Sequence, residues 1–121
     1  MKQENIVINK SYAFALRIIE IYKHLTIEKK ELVLSKQLLR SGTSIGSNVE
    51  EAVGGQSERD FFSKMAIAYK EARETHYWIR LLRDSYYLDI KLATSALEDC
   101  EELLRIIGSI NKTTKNKINN S

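Results

Sequence analysis

Proline is absent from this 121-residue chain, and its five glycines are concentrated in a few short stretches. Proline breaks helices and glycine supplies the conformations of most tight turns, so a chain nearly without either favours long helices. A chain of this length fits one domain, with a core large enough to fold without disulfides or a structural metal. We therefore expect long helices packed around a single core.

Apolar residues recur at alternating spacings of three and four along four segments, which is the spacing of one face of an α-helix. Ser57 and Asp60 are placed as a capping-box-like start for the third segment. The predicted helices cover about residues 10–25, 29–53, 57–85 and 89–111. Their stripes are Ala15, Ile18, Tyr22 and Leu25; Leu32, Leu38, Gly42, Ile45 and Val49; Phe61, Met65, Ala68, Ala72, Thr75, Ile79, Leu82 and Tyr86; and Ala93, Ala96, Cys100, Leu103, Ile107 and Ile110.

The breaks between these segments are short, at about residues 26–28, 54–56 and 86–88. Connections of a few residues force neighbouring helices to run antiparallel. The predicted fold is therefore all-α, an antiparallel up-down-up-down four-helix bundle.

The domain is predicted to occupy residues 1–111, and residues 112–121 form a polar tail. The tail contains Lys112, Lys115 and Lys117 and no acid, so it accounts for the whole net charge of +3. A polar, Asn- and Lys-rich end of this kind is predicted to be disordered, and at most it makes a weak electrostatic contact with an anion.

The location of the protein is indicated by what the sequence lacks. Cys100 is the only cysteine, so no internal disulfide and no CxxC zinc pair can form. The N-terminal residues are too polar for a signal peptide, and no stretch approaches the roughly 20 apolar residues of a membrane span. We predict a soluble cytoplasmic protein that has no membrane contact and keeps Cys100 as a small core residue.

Enzyme signatures are also missing. The chain has no P-loop, GxGxxG, HExxH or GxSxG pattern, and its two histidines, His24 and His76, lack the Glu-x-x-His spacing of di-iron bundles. We predict a protein that is not an enzyme and has no cofactor, metal or small-molecule substrate. The alternative is an enzyme built around Glu51, Glu74 and Asn48, which requires these residues to line an accessible pocket.

Small polar residues recur at helical spacing beside the stripe of the second helix, within the segment QLLRSGTSIGSNVEE. We predict that they share one buried hydrogen-bond network that fixes helix register, because buried polar groups need partners. A ligand or catalytic pocket and a partner-binding groove are the alternatives. The predicted members of the network are Arg40, Ser44, Asn48, Glu51 and Glu74.

The third helix carries cations and rings on the face opposite its stripe, a combination suited to phosphates and bases. The alternative is an ordinary solvated or intersubunit face, because Lys70 with Glu74 and Arg80 with Asp84 have the spacing of surface ion pairs. The candidate nucleic-acid or partner face consists of Lys70, Arg73, Tyr77, Arg80 and Tyr87.

The first helix is apolar over more of its circumference than a bundle core requires. We interpret the additional apolar surface as a contact between copies of the chain. Point-group symmetry would close such a contact into a ring or a dimer. The alternative is a broad core within one chain. The candidate contact residues are Phe14, Leu16, Ile19 and Ile21, together with Trp78 of the third helix.

The run Arg40, Ser44, Ile45, Asn48 and Glu51, followed by Ser57, Phe61, Ala68, Glu74 and the segment WIRLLRDSYYL, resembles the 23S rRNA intervening-sequence proteins, a family of four-helix bundles. The resemblance covers about residues 8–111 and follows the family pattern R-x-x-x-S-I-x-x-N-x-x-E. Ala52 stands where the family commonly has glycine, so the turn after the second helix is expected later, at Gly54 and Gly55.

The resemblance implies an up-and-down bundle that forms a homopentameric ring and is encoded within insertions of the large ribosomal RNA gene. The family has no established biochemical activity. More distantly similar accessory proteins of diversity-generating retroelements are basic rings that engage nucleic acid. The leading hypothesis is therefore an oligomeric module that binds RNA or an RNA-processing protein, and the alternative is a protein-interaction scaffold that binds no nucleic acid.

Overall fold

A computed structural model of the protein describes the backbone of residues 2–120 and the side chains from residue 4 onward. Met1 and Ser121, which the predicted domain boundaries include, lie outside the described residues. Within that range the chain forms four α-helices joined by short connections, and none of them has the length and apolar character needed to cross a membrane. The helices are α1, Lys2–Lys23; α2, Leu34–Val53; α3, Glu58–Asp84; and α4, Ile90–Asn119.

Each helix packs beside its neighbours in the sequence, and α4 also packs against α1. Contacts between α3 and α4 run in opposite directions along the two helices. His76 lies against Glu101, whereas Met65, earlier in α3, accepts a hydrogen bond from Asn111, later in α4. This antiparallel pairing and the absence of strands in the described residues confirm the predicted all-α four-helix bundle.

Close packing of α1 on α2 depends on glycine. A Cβ atom at Gly42 would lie 2.8 Å from side-chain atoms of Ile18, and one at Gly46 would lie 3.3 Å from the backbone oxygen of Ser11. Both contacts are too short for a larger residue to fit without movement of α1. The two glycines therefore set the distance between these helices.

The core stripe of α3 is confirmed from Met65 to Leu82, and Ser57 caps the helix by accepting a hydrogen bond from the Asp60 backbone N–H at 3.0 Å. The predicted last member of the stripe, Tyr86, is wrong: its side chain is 90% exposed. The helix ends at Asp84, so Tyr86 belongs to the turn and no longer follows the helical period.

Helix α1 begins at Lys2, whereas the sequence predicted a start at residue 10. Its buried side chains also differ from the prediction, because Ala15 and Tyr22 lie at the edge of the core. Two residues predicted to contact other copies, Phe14 and Ile21, are part of the core, and this prediction is wrong. The observed stripe has a regular spacing of four and three and consists of Val7, Ser11, Phe14, Ile18, Ile21 and Leu25.

The second helix was predicted to start at residue 29 with Leu32 in its stripe, and both points are wrong. A turn of π-helix, His24–Glu28, follows α1, and α2 begins only at Leu34. The carboxylate of Glu31 accepts hydrogen bonds from the backbone N–H groups of Leu34 at 3.0 Å and Ser35 at 2.7 Å. Because Glu31 fills the role of an N-terminal cap, the residues before Leu34 lie outside the helix.

The region after residue 111 was predicted to be a disordered tail, but α4 continues to Asn119. Asn111 bonds the backbone oxygen of Met65, and α3 extends back from Met65 to Glu58. A helix ending at Asn111 would leave the first turns of α3 uncovered, so the continuation of α4 completes the bundle. Thr114 is buried there and donates to the backbone oxygen of Ile110 at 2.8 Å.

Candidate functional site

The side of α3 that faces α2 is a polar seam, which we call the α2–α3 seam, built on Arg40, Glu71, Glu74 and Trp78. Arg40 Nη1 lies 3.3 Å from Glu71 Oε1, and Arg40 Nη2 donates a hydrogen bond to Glu74. Trp78 Nε1 donates to the same Glu74 oxygen at 3.1 Å. One guanidinium therefore holds both acids of this part of α3 toward α2.

The pKa of Glu74 reflects the charges and hydrogen bonds of the seam. Partial burial raises the pKa of its carboxyl, but the hydrogen bond from Trp78 and the charge and hydrogen bond of Arg40 together lower it below its ordinary value of 4.5. The ionised form of Glu74 is therefore the one that the seam stabilises.

Beneath these charges lies a fully buried hydroxyl pair. Thr75 Oγ1 is 2.9 Å from Ser41 Oγ and 2.8 Å from the backbone oxygen of Glu71, and neither Thr75 nor Ser41 is exposed. The Thr75–Ser41 contact is a buried polar link between α2 and α3, and neither Ser41 nor Glu71 was among the predicted members of the network. Ser41 lies on the polar line of α2 that the sequence singled out, within QLLRSGTSIGSNVEE, but it was not assigned to the network.

The predicted single network of five residues is wrong, although Arg40 and Glu74 do come together. Ser44 donates to the backbone oxygen of Arg40 at 2.6 Å, and Asn48 donates to that of Ser44 at 2.8 Å, so both satisfy their own helix. Glu51 forms an exposed ion pair with Lys64 at 3.0 Å. Glu51, Glu74 and Asn48, the residues of the enzyme alternative, therefore do not converge on one pocket.

The outward side of α3 carries four of the five residues predicted for a binding face, and we call Lys70, Arg73, Tyr77 and Arg80 the α3 outer strip. All four are exposed. The Arg80 guanidinium carbon lies 5.8 Å from the centre of the Tyr77 ring, close enough for a cation–π contact. Cations and a ring therefore share one accessible surface.

The ion pairs that the spacing along α3 permits are not formed. Glu74 bonds Arg40 rather than Lys70, and Asp84 bonds Arg83 at 2.7 Å rather than Arg80. The hydrogen bond from Arg83, ahead of its charge and that of Arg80, lowers the pKa of Asp84.

Lys70 and Arg73 consequently form no ion pair with any residue that the structure describes. The side chains of this face therefore do not form the surface ion pairs that their spacing allows.

Tyr87, the fifth predicted member, lies beyond the end of α3 in the turn to α4. Its backbone N–H donates to the Leu82 oxygen at 2.9 Å, and its side chain is partly exposed. It is therefore separated from the α3 outer strip by the chain reversal.

A shallow groove of about 170 Å³ runs between α3 and α4, bordered by Arg73, Arg80 and Leu104. Arg80 Nε donates to His76 Nδ1 at 3.1 Å, so the other ring nitrogen of His76 carries the hydrogen and donates to Glu101 at 2.9 Å. His76 thus links the two helices. No cluster of three or more His, Cys, Asp or Glu side chains in the described part of the chain is placed to hold a metal ion.

Cys100 is buried, and its Sγ lies 3.2 Å from the backbone oxygen of Ala72. Burial, with smaller contributions from Glu101 and Asp99, raises the pKa of the thiol to about 12. The thiolate is not populated at neutral pH, and Cys100 is a core residue as predicted.

The residues predicted to contact other copies divide into two groups. Leu16 is 52% exposed and Ile19 is partly buried, and both lie near the exposed Tyr12 on the outside of α1. We call Tyr12, Leu16 and Ile19 the α1 outer patch. Trp78 belongs to the α2–α3 seam, as described above, and does not join this patch.

Comparisons with known proteins identify a matching family and a similar solved structure. A family model described as 23S rRNA-intervening sequence protein matches residues 3–109. The chain is also similar to a crystal structure of a protein of unknown function from the S23 ribosomal protein family of Bacteroides thetaiotaomicron, with a TM-score of 0.90 and 47% sequence identity. That match covers 91% of this chain and 98% of the other. No curated protein matches the chain significantly.

Proposed function

The chain belongs to the 23S rRNA-intervening sequence protein family, and from that premise we propose that it is a non-enzymatic, self-assembling module that binds RNA. The structurally similar family member is itself described as a protein of unknown function, so the ligand is inferred from the surface of this chain. A cytoplasmic location is part of the proposal, and a single free cysteine agrees with a reducing compartment.

One observation carries the proposal: Lys70, Arg73 and Arg80 of the α3 outer strip form no ion pair with an acid among the residues that the structure describes. The two acids nearest to Lys70 along α3 are held by Arg40, and Asp84 is held by Arg83. A cation that is not neutralised by its neighbours can release counterions from a phosphate backbone, which is the main source of affinity for nucleic acids. Tyr77 adds a ring on which a base can stack.

The end of α4 supports the same proposal. Lys112 and Lys115 are held on a rigid helix and point to solvent, whereas a disordered tail would dilute their charge. Lys115 lies about two helical turns beyond Gly108, on the side of α4 that packs against Tyr69 of α3. Because α3 and α4 are antiparallel, Lys115 lies beside the first turns of α3 and extends the exposed positive charge beyond the Tyr69 end of the α3–α4 groove.

Self-assembly is the second part of the proposal, and the α1 outer patch supports it. Tyr12 and Leu16 are both more than half exposed, although their rings and branches are apolar. A second copy of the chain packed on this patch would remove that surface from water. A homopentamer is the assembly that the resemblance to the family implies.

The test compares two triple variants in binding to a labelled single-stranded RNA of mixed sequence, about 16 nucleotides long. Lys70, Arg73 and Arg80 are changed together to alanine. The matched control changes Lys10, Lys23 and Lys64, which lose the same total charge but form ion pairs with acids in the structure. We expect the first variant to bind about 10- to 100-fold more weakly and the control to stay within about threefold of the wild type.

An equal loss in both variants would show that net charge alone, and not the α3 outer strip, determines binding. If the wild-type protein does not bind the RNA at all, the proposal is rejected in favour of a protein-interaction scaffold. Light scattering of the same samples tests the assembly: a mass near five chains agrees with the ring, and a monomer contradicts it.

A further inference from the structure

The end of the bundle at which α3 turns into α4 contains an open cleft of about 980 Å³. This volume lies within the range of sites that hold small organic ligands. Lys29, from the connection between α1 and α2, lines one side, and Arg83, Tyr86 and Ile90 line the other. The cleft is separate from the α3–α4 groove described above, but Arg83 lies one helical turn beyond Arg80, the last residue of the α3 outer strip.

The backbone of Tyr86 is in an unusual conformation. Its φ of 69° is in the left-handed region, which glycine or asparagine normally occupies at the end of a helix. The N–H groups of Tyr87 and Leu88 both donate to the Leu82 oxygen, at 2.9 and 3.0 Å, and these bonds close the turn. The turn therefore needs a left-handed residue at position 86, but it does not need a tyrosine there.

Contacts of the Tyr86 side chain within the chain do not offset the free-energy cost of this backbone conformation. It is 90% exposed, more than any other large apolar or aromatic side chain among the described residues. A second residue outside glycine, Lys30, also has a left-handed φ of 57°, and it lies in the other connection at the same end. Strain of this kind is concentrated at functional sites, where it holds a side chain in the position that a ligand requires.

The cleft lining carries two basic side chains, Lys29 and Arg83, and two acidic ones, Asp84 and Asp89, and of these Lys29 is available to an anion. Asp84 is occupied by Arg83, and the Asp89 carboxylate accepts hydrogen bonds from the Lys91 and Leu92 backbone N–H groups at 3.1 and 3.3 Å. Both acids of the lining are therefore already satisfied. Lys29, in contrast, has no acidic partner in the part of the chain that the structure describes.

We propose that this cleft binds an unpaired nucleotide of an RNA, with the base stacked on the Tyr86 ring and a phosphate against Lys29. The inference rests on the proposed RNA binding and extends it, because a strand lying along the α3 outer strip reaches the cleft at Arg83. A base within a duplex is already paired and stacked on both faces. The protein therefore prefers single-stranded or looped RNA to a blunt duplex.

The experiment uses the full-length protein with two labelled RNAs, a single strand and a blunt duplex of the same length. In Tyr86→Asn, asparagine tolerates the left-handed backbone, so the melting temperature rises by about 2–4 °C. The same variant loses stacking, and its affinity for the single strand falls at least about fivefold. Tyr86→Phe keeps the ring and binds like the wild type. Leu32→Ala, which removes an exposed apolar side chain outside the cleft lining, is the control and leaves single-strand affinity unchanged.

Each other outcome has a distinct meaning. If Tyr86→Asn binds the single strand as tightly as the wild type, or if the wild type binds both RNAs equally, the cleft proposal is overturned and RNA binding by the α3 outer strip survives. If neither RNA binds the wild type, both proposals fail. If Tyr86→Asn changes only the mass of the protein in solution, the cleft is an interface between copies, and the nucleotide proposal is wrong.

Discussion

The two sides of α3 use the same kinds of residues in opposite ways. On the side facing α2, Glu71 and Glu74 are held by Arg40, and Trp78 adds a hydrogen bond. On the outward side, the cations of the α3 outer strip form no ion pair with an acid among the described residues. The spacing of charges along one helix therefore does not determine which charges pair, because a neighbouring helix competes for them.

The two sides of α3 are expected to contribute to different properties, the α2–α3 seam to stability and the α3 outer strip to binding. Charged groups that are paired and partly buried contribute to the packing of two helices, and removing one partner leaves the other unsatisfied. Exposed charges without partners contribute little to folding and can interact with a ligand. Substitutions in the α2–α3 seam should therefore change stability, and substitutions in the α3 outer strip should change binding.

The largest effect is expected beneath the seam, at Ser41. Ser41→Leu forces a large side chain into a site with no exposed surface and disturbs the contact with Thr75, so we expect a loss of about 2–3 kcal/mol in the free energy of unfolding. Ser47→Leu, at an exposed position of the same helix, is the control and should change it by less than about 0.5 kcal/mol. Urea denaturation measures both, and equal losses would show that the two positions do not differ in packing.

A smaller effect is expected from Arg40→Ala, which removes the shared partner of Glu71 and Glu74. We expect the free energy of unfolding to fall by about 1–2 kcal/mol, because Glu71 loses its ion-pair partner and Glu74 keeps only the hydrogen bond from Trp78. Lys64→Ala, which breaks the more exposed pair with Glu51, should cost less than about 0.5 kcal/mol.

The same Arg40 variant sharpens the comparison in a binding assay. Glu74, once released, can pair with Lys70 four residues earlier, so the affinity for RNA should fall by a few fold. Unchanged affinity and unchanged stability together would mean that the seam does not direct the acids away from the outer strip.

The pH dependence of stability should report on Glu74. Its pKa is lowered in the folded protein, so between that value and the unfolded value of 4.5 the unfolded chain binds more protons. The contribution of Glu74 is therefore present above about pH 4.5 and is lost as the pH falls through the folded pKa. Because the side chain is about one-third exposed, we expect less than about 1 kcal/mol. Thermal melts of the wild type and Glu74→Gln should converge on acidification, and a constant difference would contradict this assignment.

The smallest effect is expected at Asn48, which the sequence placed in a buried network. Its side chain is partly exposed and bonds only the Ser44 backbone oxygen of its own helix. We expect Asn48→Leu to change the free energy of unfolding by less than about 0.5 kcal/mol. If urea denaturation shows that this free energy falls by more than about 1 kcal/mol, Asn48 contributes to the α2–α3 seam.

The sequence was sufficient to predict four helices and most of their core positions, because the spacing of apolar residues is fixed by the helix itself. The stripe of α3 from Met65 to Leu82 and the cap at Ser57 follow from this local rule. The end of α2 at Val53 also matches the expected turn at Gly54 and Gly55.

The errors came from contacts that depend on a second helix. The length of α4 is decided by how far α3 extends, although the spacing from Ile107 through Ile110 to Thr114 already continued the stripe. In α1, two apolar stripes were possible, and only packing against Gly42 and Gly46 selects the one that contains Ser11.

The candidate site was predictable only in part. The residues of the α3 outer strip follow from helical geometry, but their freedom from ion pairs depends on Arg40 of another helix. The left-handed backbone of Tyr86 has no sequence signal, because that conformation is normally marked by glycine.

The most direct test of the central claim is the salt dependence of RNA binding, measured between about 50 and 200 mM salt for the wild type and for the variant with Lys70, Arg73 and Arg80 changed to alanine. If three phosphates contact these cations, the logarithm of the binding constant should fall with the logarithm of salt concentration, and the variant should have a slope smaller by about 2. Equal slopes would show that the α3 outer strip does not contact phosphate, and the division of α3 into a packing side and a binding side would be wrong.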